Sequence, residues 1–257
     1  MPDICGHISG QGPAVILLHG FCETHHIWDE LREELARTHQ VFCPDLPGFG
    51  DSTLGFDSLL LDRIADLLKD WLVSHHVTTC VMIGHSLGGY VTLTFAKKYP
   101  AMLDKIGLFH SSVYGDDDNK KSVRDKAIDF IIKNGVEVFV DSFFQNLFYP
   151  PNLKKPYIQE KLKDISDRAK LLKTSVVNAY LAAMRDREDS QLWLATFLKP
   201  ILMIAGIDDS AVPIRLSREQ AKLTPQIEFH ELDETGHMGM FEKKIESFDI
   251  VRKFLAK

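Results

Sequence analysis

The stretch CVMIGHSLGGYVTLTFAKK, residues 80–98, decides the fold. Its first four residues form a short apolar run typical of a buried strand, and a helical pattern follows from Leu87 onward. Between them lies Gly84-His85-Ser86-Leu87-Gly88, a G-x-S-x-G motif at a strand-to-helix turn. So sharp a turn projects the serine hydroxyl out of the sheet, and glycines on either side avoid clashes with the strand and the helix. The stretch predicts that Ser86 is a nucleophile.

Similar short apolar runs occur elsewhere in the chain and are bounded by turn residues. They lie at 14–18, 106–109 and 201–205, with less regular runs at 40–43 and 226–232 and a short one near 4–9. Runs that are apolar throughout are typical of strands buried on both faces of a parallel sheet. The run near 4–9 is expected to be an edge strand.

Segments with helical periodicity separate these runs. In segment 57–73, one apolar stripe is formed by Leu60, Ile64, Leu67, Leu68 and Trp71. Similar patterns occur near 27–37, 87–99, 214–223 and 243–256. Such stripes are suited to covering the faces of a sheet. The alternation predicts an α/β protein with a mostly parallel central sheet flanked by helices.

Residues 112–199 interrupt this alternation with four amphipathic helical patterns and no convincing strand. The first pattern stops near Gly135, and the second, which is rich in phenylalanine, ends at Pro150-Pro151. We expect residues 1–111 and 200–257 to form one core domain and residues 112–199 to form an inserted helical cap.

Composition narrows the class of protein. The chain has 257 residues, with 45% hydrophobic and 26% charged residues, as in ordinary globular proteins. Lysine and arginine total 30 against 36 acidic residues, and the resulting net charge of -6 argues against nucleic-acid binding and against docking on anionic membranes. The N-terminus lacks the pattern of a secretory signal, so a cytoplasmic protein is expected. The cysteines Cys5, Cys22, Cys43 and Cys80 are far apart, and reduced thiols are expected.

The chain resembles the α/β-hydrolase fold superfamily over nearly its whole length. The marks of the family occur in order as His19-Gly20-Phe21, the segment DLPGFGDS at 45–52, Ser86, Asp209 before Val212-Pro213, and Gly236-His237 before the last helix. The resemblance implies the α/β-hydrolase fold, with the helical segment as a cap over the serine.

A serine hydroxyl needs a base to take its proton and a carboxylate to stabilise the imidazolium that forms. The resemblance implies Ser86, Asp209 and His237 in these roles. Asp209 keeps the two-residue spacing of the family to Val212-Pro213, whereas Asp208 is a competing carboxylate with a loop-stabilising role as its alternative. His237 lies in a glycine-flanked loop after a predicted strand, where an ordinary surface histidine is the alternative.

The resemblance also implies that the backbone amides of Phe21 and Leu87 form the oxyanion hole. On the cap side, an aromatic run suggests an apolar substrate pocket lined by Phe143, Phe144 and Phe148. Aromatic stripes at helical spacing also commonly fill the core of a helical domain. Both interpretations of the run remain open.

Other residues near these motifs have plainer explanations. His19 and His85 are expected to be structural neighbours of the site, and Cys22 a packing residue rather than a redox sensor. The run Asp116-Asp117-Asp118 lacks the spacing of a calcium loop and is expected to be a solvated turn. No metal-ligand spacing occurs, so neither a metal nor a cofactor is expected.

We therefore expect a serine hydrolase that cleaves a small or medium carboxylic ester, its small-molecule partner, through a covalent acyl-enzyme. Similar capped serine enzymes include enol-lactonases, carbon–carbon bond hydrolases, perhydrolases and methyl esterases. The segment 184–189 has a faint lactonase likeness, in which Arg185 or Arg187 would meet a substrate carboxylate, with surface ion pairing as the alternative. The superfamily also includes ligand receptors that retain the triad. The oligomeric state stays open.

Overall fold

The computed structural model describes residues 3–55 and 59–257. Its strands are β1 (Gly6–Ser9), β2 (Ala14–Leu18), β3 (Gln40–Pro44), β4 (Cys80–His85), β5 (Leu103–Phe109), β6 (Ile201–Gly206) and β7 (Ile227–Leu232). Within the described residues they form a seven-stranded sheet in the order β1-β3-β2-β4-β5-β6-β7. β1 is antiparallel to β3 at one edge, and the other neighbours are parallel. The predicted mostly parallel α/β sheet is confirmed.

Helices cover the sheet and fill the segment between β5 and β6. They are α1 (Asp29–Leu35), α2 (Leu61–Ser74), α3 (Leu87–Lys98), α4 (Asp118–Asn134), α5 (Val136–Phe143), α6 (Pro156–Ala169), α7 (Thr174–Arg185), α8 (Gln191–Leu194), α9 (Ile214–Gln220), α10 (Gly239–Glu242) and α11 (Lys244–Leu255). Short 3₁₀ turns occur at 25–28, 100–102, 145–147 and 150–154.

The crossover helix α2 shows how the apolar stripe is used. Ile64 and Leu68 are fully buried against the core, as the helical spacing predicts, and Leu67 and Trp71 are partly buried against it. Leu60, expected in the same stripe, is instead 62% exposed, because it has an extended backbone and precedes the first turn of the helix. Residues 57 and 58 of the predicted helix lie outside the described residues.

Residues 112–199 contain helices α4 to α8 and no strand, all of them described, and we call this segment the helical insertion. α4 packs against α7 and α5, and α5 packs against α6. The phenylalanine-rich helix expected up to Pro150 is shorter, since α5 ends at Phe143 and the chain is extended again at Phe148. Tyr149 precedes a proline, a position at which the helical backbone is disfavoured.

The parallel strands bring four loops to one edge of the sheet. β2, β4 and β6 all end there, as does β7, because neighbouring parallel strands present their carboxyl ends on the same side. The loops that follow carry Phe21, Ser86, Asp209 and His237. Residues more than 200 positions apart in the chain therefore meet at this edge.

A separate observation concerns membranes. Among residues 3–55 and 59–257, no helix has both the length and the apolar composition needed to cross a bilayer.

Candidate active site

Ser86 occupies a strained turn between β4 and α3. Its backbone has φ 50 and ψ -113, in a region that non-glycine residues seldom adopt, and its amide donates to the Phe109 carbonyl at 3.0 Å. A Cβ atom added at Gly84 would lie 2.1 Å from the carbonyl carbon of Gly88, so a side chain there would collide with the helix. The G-x-S-x-G motif is thus the predicted strand-to-helix turn, with its glycines required by close approach.

Asp209 and His237 form a buried hydrogen-bonded pair. His237 Nδ1 donates to Asp209 Oδ2 at 2.7 Å, and the backbone amides of Ala211 and Val212 donate to Oδ1 at 2.8 and 2.9 Å. Asp209 is buried, whereas Asp208 is exposed. The structure therefore brings Asp209, rather than the competing Asp208, to the histidine.

The charges of this pair reinforce one another. Burial raises the pKa of Asp209, but the neighbouring His237 and His110 outweigh burial and hold that pKa well below its usual range. Burial likewise lowers the pKa of His237, but the Asp209 carboxylate outweighs it and leaves that pKa above its ordinary value. An ionised carboxylate is thus placed to stabilise an imidazolium at His237.

Ser86 and His237 both line a cavity of about 440 Å³ between the sheet edge and the helical insertion. The core side contributes Phe21, Glu23, Tyr90, Ser210, Ala211 and Val212. The insertion side contributes Asn119, Lys120, Val123, Arg124, Ala127, Phe139, Phe143, Leu147, Leu181 and Met184. Ser86 and His237 thus share a space large enough for a small-molecule ligand.

The expected row of pocket aromatics is only partly correct. Phe143 lines the cavity, and Phe139 lies one turn earlier on α5 and stacks on it with ring centroids 5.0 Å apart. Phe144 is fully buried and Phe148 nearly so, and neither lines the cavity. Phe144 still has a helical backbone, but it follows Phe143 directly and so lies about 100° further around the helix axis. Phe148 lies beyond the helix, where the backbone is extended. Phe144 and Phe148 fill the protein core instead.

The two residues whose amides are expected in the oxyanion hole are Leu87, which follows Ser86 in the chain, and Phe21, which lines the same cavity as Ser86. Leu87 is the first residue of α3, where a backbone amide has no partner inside the helix. Phe21 follows β2 and lines the cavity. His19 braces this turn, since its Nε2 accepts from the Leu46 amide at 2.9 Å and its Nδ1 donates to the Gly20 carbonyl at 2.8 Å. His19 is a structural neighbour, as expected.

Glu23, which no sequence pattern marks, is buried in the wall of the cavity. Its Oε2 accepts from the Gly20 amide at 2.6 Å and from His85 Nδ1 at 2.9 Å. His85 Nε2 in turn donates to the His237 carbonyl at 2.9 Å. These two hydrogen bonds of His85 link the turn after β2 to the histidine loop.

Glu242 is a second buried carboxylate that sequence reasoning missed. Its Oε1 accepts from the backbone amides of Gly236 and Met238 at 3.0 and 3.3 Å, on either side of the histidine. Its Oε2 accepts from the Tyr149 amide at 2.8 Å and from Asn152 Nδ2 at 2.9 Å. One side chain thus ties the histidine loop to the helical insertion.

Within residues 3–55 and 59–257, two clusters bring metal-type ligand atoms within 4.8 Å of one another, although the sequence shows no ligand spacing. They are the partly buried His25, His26 and Asp29, and the buried His110, Asp209 and His237. In the second cluster, both histidines place Nδ1 within hydrogen-bond distance of the same Asp209 oxygen, at 2.7 and 3.1 Å. That arrangement is a hydrogen-bonded acid–base pair with a second ring beside it.

Two further predictions concern Cys22 and the turn at 116–118, and the structure agrees with the first and contradicts part of the second. The buried Cys22 has a thiol pKa raised well above its usual value by burial, in keeping with a packing residue. The expected solvated turn at 116–118 is wrong for Asp116, which is buried, although Asp117 and Asp118 are exposed. The reason is that two arginines, Arg124 and Arg187, bind its carboxylate.

Comparisons with known proteins agree with this architecture. A family model described as alpha/beta hydrolase fold matches residues 13–244. Lipase 1 of Psychrobacter immobilis is 23% identical over 258 residues, which cover 97% of this chain and 78% of the lipase. An uncharacterized protein of Mycobacterium tuberculosis is 32% identical over 99 residues, 38% of this chain but only 29% of that relative's length. A thermophilic esterase from Thermogutta terrifontis has a similar structure, with a TM-score of 0.93, 25% identity, and coverage of 99% and 93% of the two chains.

Proposed function

The chain belongs to the α/β-hydrolase fold family, and we propose that it is a serine hydrolase that cleaves small or medium carboxylic esters through an acyl-enzyme on Ser86. The observation that carries this proposal is the 2.7 Å bond between His237 Nδ1 and Asp209 Oδ2, beside the cavity that Ser86 and His237 share. A lipase and an esterase among the similar proteins agree with an ester substrate.

In the first half-reaction, His237 Nε2 takes the proton of the Ser86 hydroxyl while its oxygen attacks the ester carbonyl carbon. Asp209 stabilises the imidazolium that forms. The carbonyl oxygen becomes an oxyanion, which the amides of Phe21 and Leu87 stabilise. When the tetrahedral intermediate collapses, the bond to the alcohol oxygen breaks, and His237 returns its proton to the leaving alcohol.

In the second half-reaction, a water molecule attacks the acyl-enzyme. His237 takes a proton from that water, and the same two amides stabilise the second oxyanion. Collapse breaks the bond to the Ser86 oxygen, which regains its proton from His237. The products are a carboxylic acid and the free enzyme.

The helical insertion serves as the cap of this enzyme, over a core of residues 1–111 and 200–257. Support comes from the cavity, whose insertion side is formed by α4, α5 and α7. Its apolar part, with Ala127, Phe139 and Phe143, suits an aliphatic or aryl group of the ester. A cap in this position limits the access of water to the reacting atoms.

The proposal is tested by measuring hydrolysis of 4-nitrophenyl esters from acetate to decanoate by the purified chain. The matched control is Ser86→Ala, which removes only the nucleophile. We expect saturable turnover by the wild type and a loss of at least about a thousandfold in kcat for the variant. A folded wild-type protein that binds these esters without cleaving them would instead be a ligand receptor, and an equally active Ser86→Ala protein would remove Ser86 from the mechanism.

A further inference from the structure

The active-site cavity has two chemically different ends. Helix α4 lines it with Asn119, Lys120, Val123, Arg124 and Ala127, a spacing that places these side chains on one face of the helix. Asn119, Lys120 and Arg124 lie in the first two turns of α4, and Ala127 lies in the third turn. Along α4, therefore, the lining changes from basic to apolar.

The basic end carries more positive than negative charge. Asp116 is buried, and its Oδ1 accepts from Arg187 Nη1 at 2.7 Å while its Oδ2 accepts from Arg124 Nε. Two guanidinium groups thus share one carboxylate. The Arg187 guanidinium also lies over the ring of Tyr90, 4.0 Å from its centroid, and Tyr90 lines the cavity. This cluster leaves one positive charge uncompensated.

Lys120 adds a second uncompensated charge. It is half-buried in the cavity wall, and no carboxylate of the described residues lies within 4.0 Å of its ammonium group. Its backbone amide is held at 2.8 Å by the carboxylate of Asp117, which caps the helix, and this fixes the turn that carries the lysine. Asp117 and Asp118 are exposed and do not line the cavity.

The other arginine of this region is occupied elsewhere. Arg185 binds Asp125 and Asp186 at the surface, with distances of 2.6 and 2.7 Å, and does not line the cavity. Its guanidinium is therefore not available to a substrate. Lys120 is therefore the residue of the cavity wall that can bind an anion, and Arg124 lines the same cavity.

We propose that the preferred substrates are esters that carry a carboxylate remote from the ester bond, and that Lys120 binds this carboxylate. The inference rests on the proposed ester hydrolysis at Ser86 and names its substrate class. The apolar part of the cavity holds the hydrocarbon chain between the two functional groups. An ammonium in a partly desolvated wall favours such a substrate over a neutral ester of equal length.

The test compares kcat/KM for monomethyl succinate, glutarate and adipate with that for methyl butanoate, pentanoate and hexanoate. A second series carries the carboxylate on the alcohol portion, as in 4-butanoyloxybutanoate. We expect kcat/KM for at least one anionic ester to be about tenfold or more above that for the neutral ester of equal length. Added salt should reduce this preference, because it screens the charge.

Two variants assign the preference to a residue. For Lys120→Gln, kcat/KM should fall about tenfold with the preferred anionic ester and stay unchanged with the neutral ester of equal length. Lys121→Gln, a substitution at an exposed neighbour outside the cavity wall, should retain both rates. Neutral esters cleaved as well as anionic ones, or a preference unchanged in Lys120→Gln, would overturn the inference while leaving ester hydrolysis intact.

Binding of the free diacids separates this inference from the proposed function. Glutarate or adipate should raise the melting temperature of the wild type and of Ser86→Ala, and should raise that of Lys120→Gln less. If no ester of either series is cleaved, the proposed function fails. In that case diacid binding that depends on Lys120 still supports the anion subsite, and diacid binding that is absent or independent of Lys120 rejects it.

Discussion

The two sides of the active-site cavity are built in different ways. On the sheet side, Ser86 sits in a strained turn, and Gly84 has no room for a side chain. On the insertion side, the lining comes from the faces of helices. One lining residue there, Val123, is 64% exposed, so its side chain is free of tight packing. A substitution on the first side disturbs the backbone that holds Ser86, whereas one on the second side changes the shape and charge of the space. Under the proposed function, we therefore expect the sheet side to set the type of reaction and the insertion side to set the choice of substrate.

The largest effect is expected at the acid on the sheet side. Asp209→Asn should lose on the order of a hundredfold or more in kcat, because an amide neither stabilises the imidazolium nor keeps the correct tautomer of His237. Asp208→Asn is the matched control, since that residue is exposed, and should stay within about twofold. The rates are measured with 4-nitrophenyl acetate. Equal losses in the two variants would mean that the acid has been assigned to the wrong carboxylate.

The pH dependence of kcat/KM tests whether Asp209 raises the pKa of His237. His237 acts as a base only when deprotonated, so kcat/KM should be full at high pH and fall about tenfold per unit below the pKa of His237. Asp209 raises that pKa above its ordinary value of 6.5. The midpoint of the acid limb is therefore expected above 6.5. A midpoint below that value would show that burial outweighs the carboxylate.

Glu242 connects the loop of His237 on the sheet side to Tyr149 and Asn152 on the insertion side, and we expect it to position His237. A glutamine there keeps one acceptor oxygen and turns an NH₂ group toward backbone donors, so about half of the hydrogen bonds of Glu242 are lost. Glu242→Gln should lower kcat about tenfold with little change in KM, because the loop of His237 moves. The exposed Glu246→Gln is the control.

A purely structural role for Glu242 has a different signature. Unpairing buried donors costs about 1 to 3 kcal/mol each, so the melting temperature of Glu242→Gln falls in either case. Only a positioning role also lowers kcat at temperatures where the variant is fully folded. An unchanged kcat under those conditions would limit Glu242 to a role in stability.

The smallest effect on the reaction is expected on the insertion side. Phe143→Ala should change the preference among acetyl, butyryl and octanoyl esters by about fourfold per methylene contacted, or about 0.8 kcal/mol, with little effect on acetate. Phe144→Ala removes a fully buried ring, so it should cost about 3 to 5 kcal/mol of stability and leave the preference unchanged in the folded fraction. For Phe143→Ala, a uniform activity loss that follows the melting temperature would contradict its role in lining the cavity.

The sequence was most informative on the sheet side. Strands buried on both faces produce continuous apolar runs, so β2 and β6 were predicted within one residue of their bounds. The turn at Ser86 was predictable because its glycines are required by local geometry. Asp209 and His237 came from the spacing of a family resemblance rather than from a local pattern.

Residues whose partners are distant in the chain escaped prediction. Glu23 binds His85, and Glu242 binds Tyr149, yet no periodicity connects these positions. Such carboxylates resemble surface residues until the fold brings donors to them. The early end of α5 was missed for a related reason, since the apolar pattern continues past Phe143 although the helix does not. Side chains on the insertion were therefore assigned less accurately than turns on the sheet.

Covalent labelling decides whether the sheet side performs acyl transfer at the predicted residue. A fluorophosphonate probe reacts with an activated serine, and intact-mass analysis followed by peptide mapping counts and locates the adduct. The wild type should gain one adduct on the peptide that contains Ser86, Ser86→Ala should gain none, and His237→Ala should react far more slowly. An adduct on another residue, or no adduct in the folded wild-type protein, would contradict the assignment of Ser86 as the nucleophile.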